Sequence, residues 1–137
     1  MGWHGGQQLG AMMSEQATGP QFTFVDNAVS MAEFEDGRVK PVSVLKATGA
    51  NVVIFAFDAG AVLREHTALQ PVLLQSLEGS LTIDVAGQQF MIGPGDLFHI
   101  EPHVPHSVST QEQARLQLTV LLIDSPGPSK VPLTDLG

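Results

Sequence analysis

Between Val39 and Ile123, nearly every apolar run is stopped by a glycine, a proline or a polar turn before it reaches the length of a helix. Short runs rich in Val, Ile and Phe, bounded by such breakers, predict strands. Asn51–Phe57 is apolar at almost every position and predicts a strand buried on both faces. Ser80–Val85 alternates, with Leu81, Ile83 and Val85 on one face. Ala114–Ile123 alternates too, with Leu116, Leu118, Val120 and Leu122 inward. Further strands are expected over Val39–Ala47, Ala61–His66, Pro71–Leu77, Gln88–Ile92 and Leu97–Ile100. Pro41 argues for an edge position in the first of these. Phe22–Phe34 is ambiguous in pattern, and Asn27–Glu35 reads as either a short helical turn or an edge strand. About nine or ten short strands and no long helix predict an all-β antiparallel sandwich or small barrel.

The bulk numbers narrow the function. The chain has 137 residues, which favours a single domain. Residues 1–20 and 125–137 read as tails and residues 21–124 as one barrel domain; the Met12-Met13 pair offers an alternative start. There is no cysteine, so disulfides, thiolate metal sites and thiol nucleophiles are excluded. A formal net charge of −8 argues against nucleic acid and anionic membrane surfaces as partners. No apolar run approaches the roughly 20 residues of a membrane span, and a cytoplasmic location is expected.

Four of the five histidines, His66, His99, His103 and His106, fall between residues 60 and 106; the fifth, His4, stands alone in the N-terminal tail. Gly60, His66 and Gly79, followed by Gly95 and His106, resemble the two motifs of the cupin superfamily. The resemblance spans roughly residues 40–123 and is to small RmlC-like proteins with one conserved barrel. The family's first motif runs Gly, five residues, His-x-His, three or four residues, Glu or Gln, six residues, Gly. Its second runs Gly, five residues, Pro-x-Gly, two residues, His. The resemblance implies a double-stranded β-helix, or jelly roll, with one divalent metal held inside by two histidines, the Glu or Gln, and the last histidine.

This chain keeps half of that ligand set. His66 and His106 stand at the first and last positions, but Ala68 and Val72 occupy the other two and carry no donor atom. His66 and His106 therefore either form a hydrogen-bonded pair without metal or hold Zn, Ni, Fe or Mn weakly, with water completing the shell. Other donors lie nearby. Gln75 and Glu65 are expected to face away from the site by strand parity. His103 stands where the family has a loop glycine, and parity does not fix the direction of His99. Asp96 is expected to cap the Gly93–Gly95 turn. Asp58, Glu65, Glu78, Asp84 and Glu101 read as solvated or turn residues.

These observations predict a protein that binds a small organic ligand beside His66 and His106, in a pocket lined by Val72, Leu74 and Phe98. A divalent metal in that site, or none, is compatible with the pattern. A metal-dependent dioxygenase- or isomerase-like enzyme is the first alternative; no catalytic residue can be assigned. A non-catalytic structural or sensing homodimer is the second, with the Asn51–Phe57 strand suited to a subunit interface. No pair of helices for DNA binding is visible.

Overall fold

The computed structural model describes residues 21–123; the two tail readings, His4 and the Met12-Met13 pair lie outside them. Nine strands are present among these residues: β1 Val39–Ala47, β2 Ala50–Phe57, β3 Val62–His66, β4 Val72–Glu78, β5 Leu81–Val85, β6 Gln88–Ile92, β7 Phe98–Ile100, β8 His106–Ser109 and β9 Ala114–Leu121. They form two sheets, a five-stranded one in the order β1-β2-β9-β4-β7 and a four-stranded one in the order β3-β8-β5-β6. All strand pairings are antiparallel. This is a jelly roll, as the family resemblance implies, and an antiparallel two-sheet architecture, as the turn-punctuated sequence predicts. Among the described residues, no helix is long and apolar enough to cross a membrane.

The alternation seen in the sequence becomes the core. Leu81 and Ile83 of β5, Val108 of β8, Leu74 and Val72 of β4, Leu116 and Leu118 of β9 and Phe57 of β2 pack into one cluster between the sheets. Fully burying a side chain of this kind is worth about 1.5–3 kcal/mol. A smaller cluster lies on the outer side of the five-stranded sheet. There Ile54 and Ala56 of β2 are covered by Ala32, Ala28 and Phe34. Strand β2 is thus buried on both faces at its C-terminal half, which explains its lack of alternation. There the second face is covered by the chain's own N-terminal segment.

That segment is the ambiguous Phe22–Phe34 stretch. It contains a single 3-10 turn, Ala28–Met31, and no strand. Arg115 of β9 fastens it: its Nε donates to the carbonyl of Ala32 at 2.9 Å, and its guanidinium carbon sits 4.4 Å from the centre of the Phe34 ring. The same guanidinium pairs with Glu78 at 2.9 Å.

Two turns fix the register of the motif strands. Gly79, with φ +76°, closes the link from β4 to β5; a Cβ there would stand 2.6 Å from the carbonyl oxygen of Gln113. Only glycine meets both the left-handed backbone and that approach. In the turn before β7, the amide of Gly93 donates to Asp96 Oδ2 at 2.8 Å, as expected of a capping aspartate. Asp58 plays a similar part between β2 and β3, accepting from the Gly37 amide at 2.7 Å and from Gln113 Nε2 at 3.0 Å. Those hydrogen bonds hold its carboxyl below the usual carboxylate range.

Candidate functional site

His106 opens β8, a strand the alternation does not announce. Its four residues, His-Ser-Val-Ser, are too few for a pattern and follow directly on Pro105. His106 and Val108 point inward, and Ser107 and Ser109 are half-buried. On the facing strand, Leu63 pairs with Val108 and His66 with His106. Three steps along β3 match two along β8, so a β-bulge lies between Leu63 and His66. Without that extra residue, the odd offset would turn His66 to the opposite face from Leu63. The bulge places the two histidines side by side, with ring centroids 4.4 Å apart and planes at 60°.

The two rings differ in depth. His66 is exposed, while His106 is 2% exposed. The pair therefore runs from solvent into the protein. On the other flank of His106 stands Val85, its partner on β5. Each ring is oriented in the same way. Nδ1 of His66 donates to the carbonyl of Arg64 at 3.0 Å, and Nδ1 of His106 donates to the carbonyl of Val104 at 2.9 Å. The Nε2 of His106 is buried and has no hydrogen-bond partner; it is the only such side-chain atom among the described residues. Burial pushes the His106 pKa down, with a smaller contribution from the charge of His66, against the opposing effect of the Val104 carbonyl. Burial thus favours the neutral ring.

The remaining residues singled out in the sequence fall in several places. Val72 and Leu74 lie in the core on the inner face of the five-stranded sheet, across the sandwich from the sheet that carries the histidines. Phe98 faces Leu74 from β7, is half-buried and makes an edge contact with Phe90, centroids 5.2 Å apart. Ala68 is partly buried against the same core, and its carbonyl accepts the His103 amide at 2.8 Å. His103 has φ +67°, the backbone expected at a loop-glycine position. His99 pairs with Leu73 and is exposed on the outer face. Gln75 pairs with Gln117 on that face, as parity predicts. Glu65 is exposed and lines an open surface depression with Asp84 and Ser107. Glu78 is more than a turn residue, because it pairs with Arg115. Arg115 itself was not flagged by the sequence; its partners Glu78 and Ala32 lie 37 and 83 residues away in the chain.

The structure does not assemble the family's four-donor cage. Val72, at the Glu or Gln position, is a core residue, and Ala68 offers only a methyl group. Among the described residues, no three His, Cys, Asp or Glu side chains are grouped to hold a metal ion. Among the described residues, two imidazoles on adjacent strands are the donors at this site, which does not fit a resident divalent ion held mainly by protein ligands.

No curated protein matches the sequence. The AraC-like ligand-binding domain family matches residues 50–126, more than half of the chain. Similar solved structures include a cupin superfamily protein from Desulfitobacterium hafniense, 19% identical with a TM-score of 0.65 over 76% of this chain and 94% of that one. An RmlC-like cupin from Shewanella frigidimarina is 24% identical, with a TM-score of 0.62 over 78% and 95%. A conserved protein of unknown function from Streptococcus pyogenes is 14% identical, with a TM-score of 0.66 over 77% and 93%. At these identities the likeness concerns the fold. The chain is a small cupin, and it belongs to the AraC-like ligand-binding domain family.

Proposed function

We propose that this protein binds a small organic molecule beside His66 and His106, and that the two imidazoles, rather than a metal held by four protein donors, supply the polar contacts. The observation that carries this reading is the partnerless Nε2 of the buried His106. A buried nitrogen left without a partner costs about 1–3 kcal/mol, and such costs concentrate at functional sites. His66, more exposed and in ring contact with His106, forms the way in. Membership of a ligand-binding family supports the same reading.

A thermal-shift screen of small organic compounds tests it, using the full chain and His106→Leu. A ligand that binds only the folded state stabilises it by RT ln(1 + [L]/Kd). Hits should raise the melting temperature of the wild-type protein and leave that of His106→Leu unchanged. Ligand-free His106→Leu should stay within about 1 kcal/mol of wild type, because the substitution removes the partnerless nitrogen along with the bond to Val104. Hits that stabilise both proteins equally would sink this reading.

A homodimer accompanies the proposal. Phe22 and Phe24 are 86% and 75% exposed, an unusual placement for two phenylalanines so close together. Sedimentation of the full chain against Phe22→Ser/Phe24→Ser should show a dimer only in the former.

A further inference from the structure

We propose that the ligand presents a hydrogen-bond donor, an alcohol, phenol or amine on an apolar body, and that carboxylates and phosphates are rejected. This deepens the preceding proposal and rests on it. A backbone carbonyl only accepts hydrogen bonds. With Nδ1 of His66 and of His106 each directed at one, at 3.0 and 2.9 Å, both protons sit on Nδ1. A neutral imidazole has one proton, so the buried, partnerless Nε2 of His106 is left as a bare acceptor. Burial of His106 favours that neutral state. His106 therefore offers an incoming ligand a lone pair and no acidic hydrogen. An anionic oxygen, itself only an acceptor, would meet this lone pair with nothing to bridge the two.

Among the described residues, no cation is paired with the two rings. Arg38 and Lys40 pair with Glu35, at 3.9 and 3.0 Å. Arg115 is committed to Glu78 and Ala32 on the outer side of the other sheet. Lys46 is exposed on β1. Arg64 adjoins the site in sequence, but it follows the inward Leu63 on β3 and is exposed, and its contribution to the pair is its carbonyl. The net charge of −8 adds a long-range repulsion of anions. The surroundings of His106, with Val85 on one flank, suit an apolar body.

Four probes that share one ring separate the possibilities: benzyl alcohol, benzylamine, toluene and benzoate. Each is titrated into the full chain at neutral pH, with binding read from the histidine ring 15N resonances, and the series is repeated on His106→Ala. Before any addition, His106 should show the Nδ1–H tautomer with an unprotonated Nε2. Benzyl alcohol and benzylamine should bind at least about tenfold more tightly than benzoate, shift the Nε2 resonance, and lose affinity in His106→Ala. Benzoate binding as tightly as the alcohol would overturn the donor assignment and leave the proposal of a ligand beside His106 standing. An Nε2-protonated ring would also overturn it. If none of the four perturbs His106, the pocket reading fails and the donor assignment with it.

Discussion

His66 and His106 face each other across the β3–β8 pair, yet each turns its Nδ1 back to a carbonyl two residues earlier on its own chain segment. Neither ring uses the other as a hydrogen-bond partner through that nitrogen. The carbonyls fix the tautomer and aim, and the buried Nε2 of His106 has no hydrogen-bond partner among the described residues. A structural histidine pair would be expected to satisfy its buried nitrogen internally; this one does not.

That arrangement predicts a pH dependence. His106 has a folded-state pKa below its unfolded value of about 6.5, because burial disfavours the imidazolium. Below about pH 6.5, the unfolded chain takes up a proton at this position that the folded chain resists. Stability should therefore be full above that pH and fall as the pH drops through 6.5 towards the folded pKa. His66 is the titratable group in ring contact with His106; Val85 stands on the other flank. Urea titrations across this range should show a loss in wild type that is reduced in His106→Leu. Equal pH profiles would mean that His106 is not the group responsible.

Gly79 and Gly95 should respond differently to alanine. Both have positive φ, +76° and +99°, which costs an alanine about 1–2 kcal/mol. At Gly79 the added Cβ also meets Gln113 O at 2.6 Å and Ala114 Cβ at 2.9 Å, and overpacking of this kind adds about 1–3 kcal/mol. No atom stands within 4 Å at Gly95. Denaturant unfolding should therefore show Gly79→Ala as the more damaging substitution. The reverse order would contradict the packing at the β4–β5 turn.

Arg115 should hold the N-terminal segment on the sheet. Arg115→Ala removes a charged hydrogen bond to Ala32 and the contact with Phe34 and leaves Glu78 without its cation. A cost of about 2–3 kcal/mol is expected, mostly from the hydrogen bond, since Glu78 is half exposed. Amide exchange should accelerate around residues 28–34, with the inter-sheet core less affected. Uniform acceleration would show that the segment is not a separate unit.

The metal expectation can be checked on protein purified without a metal column. With Ala68 and Val72 in place of donors, chelation by EDTA should leave the melting temperature unchanged, and bound metal should be well below one per chain. A melting temperature that drops on chelation, with stoichiometric metal on elemental analysis, would show a resident ion that the two imidazoles alone do not explain.

Most of the fold is legible in the sequence because the strands alternate and the turns carry glycine. Leu81, Ile83 and Val85 announce β5, and the unbroken apolar Asn51–Phe57 signals a strand that is covered on both faces at its C-terminal half. Strand β8 escapes because four residues after a proline hold no period. The cover over Ile54 and Ala56 escapes because Arg115 and Ala32 are joined only by tertiary folding. His66 and His106 were found from the motif resemblance, but strand parity alone sets His66 against Leu63; the bulge that reverses this leaves no mark in composition. The direction of His99 depends on its register with Leu73, which only the sheet supplies.

The most direct measurement is a crystal structure of the full chain with a compound from the screen. The account predicts a hydroxyl or amine of that compound within about 3 Å of His106 Nε2, with Nδ1 still bound to Val104. A compound seated elsewhere, with His106 Nε2 still unpartnered, would contradict it.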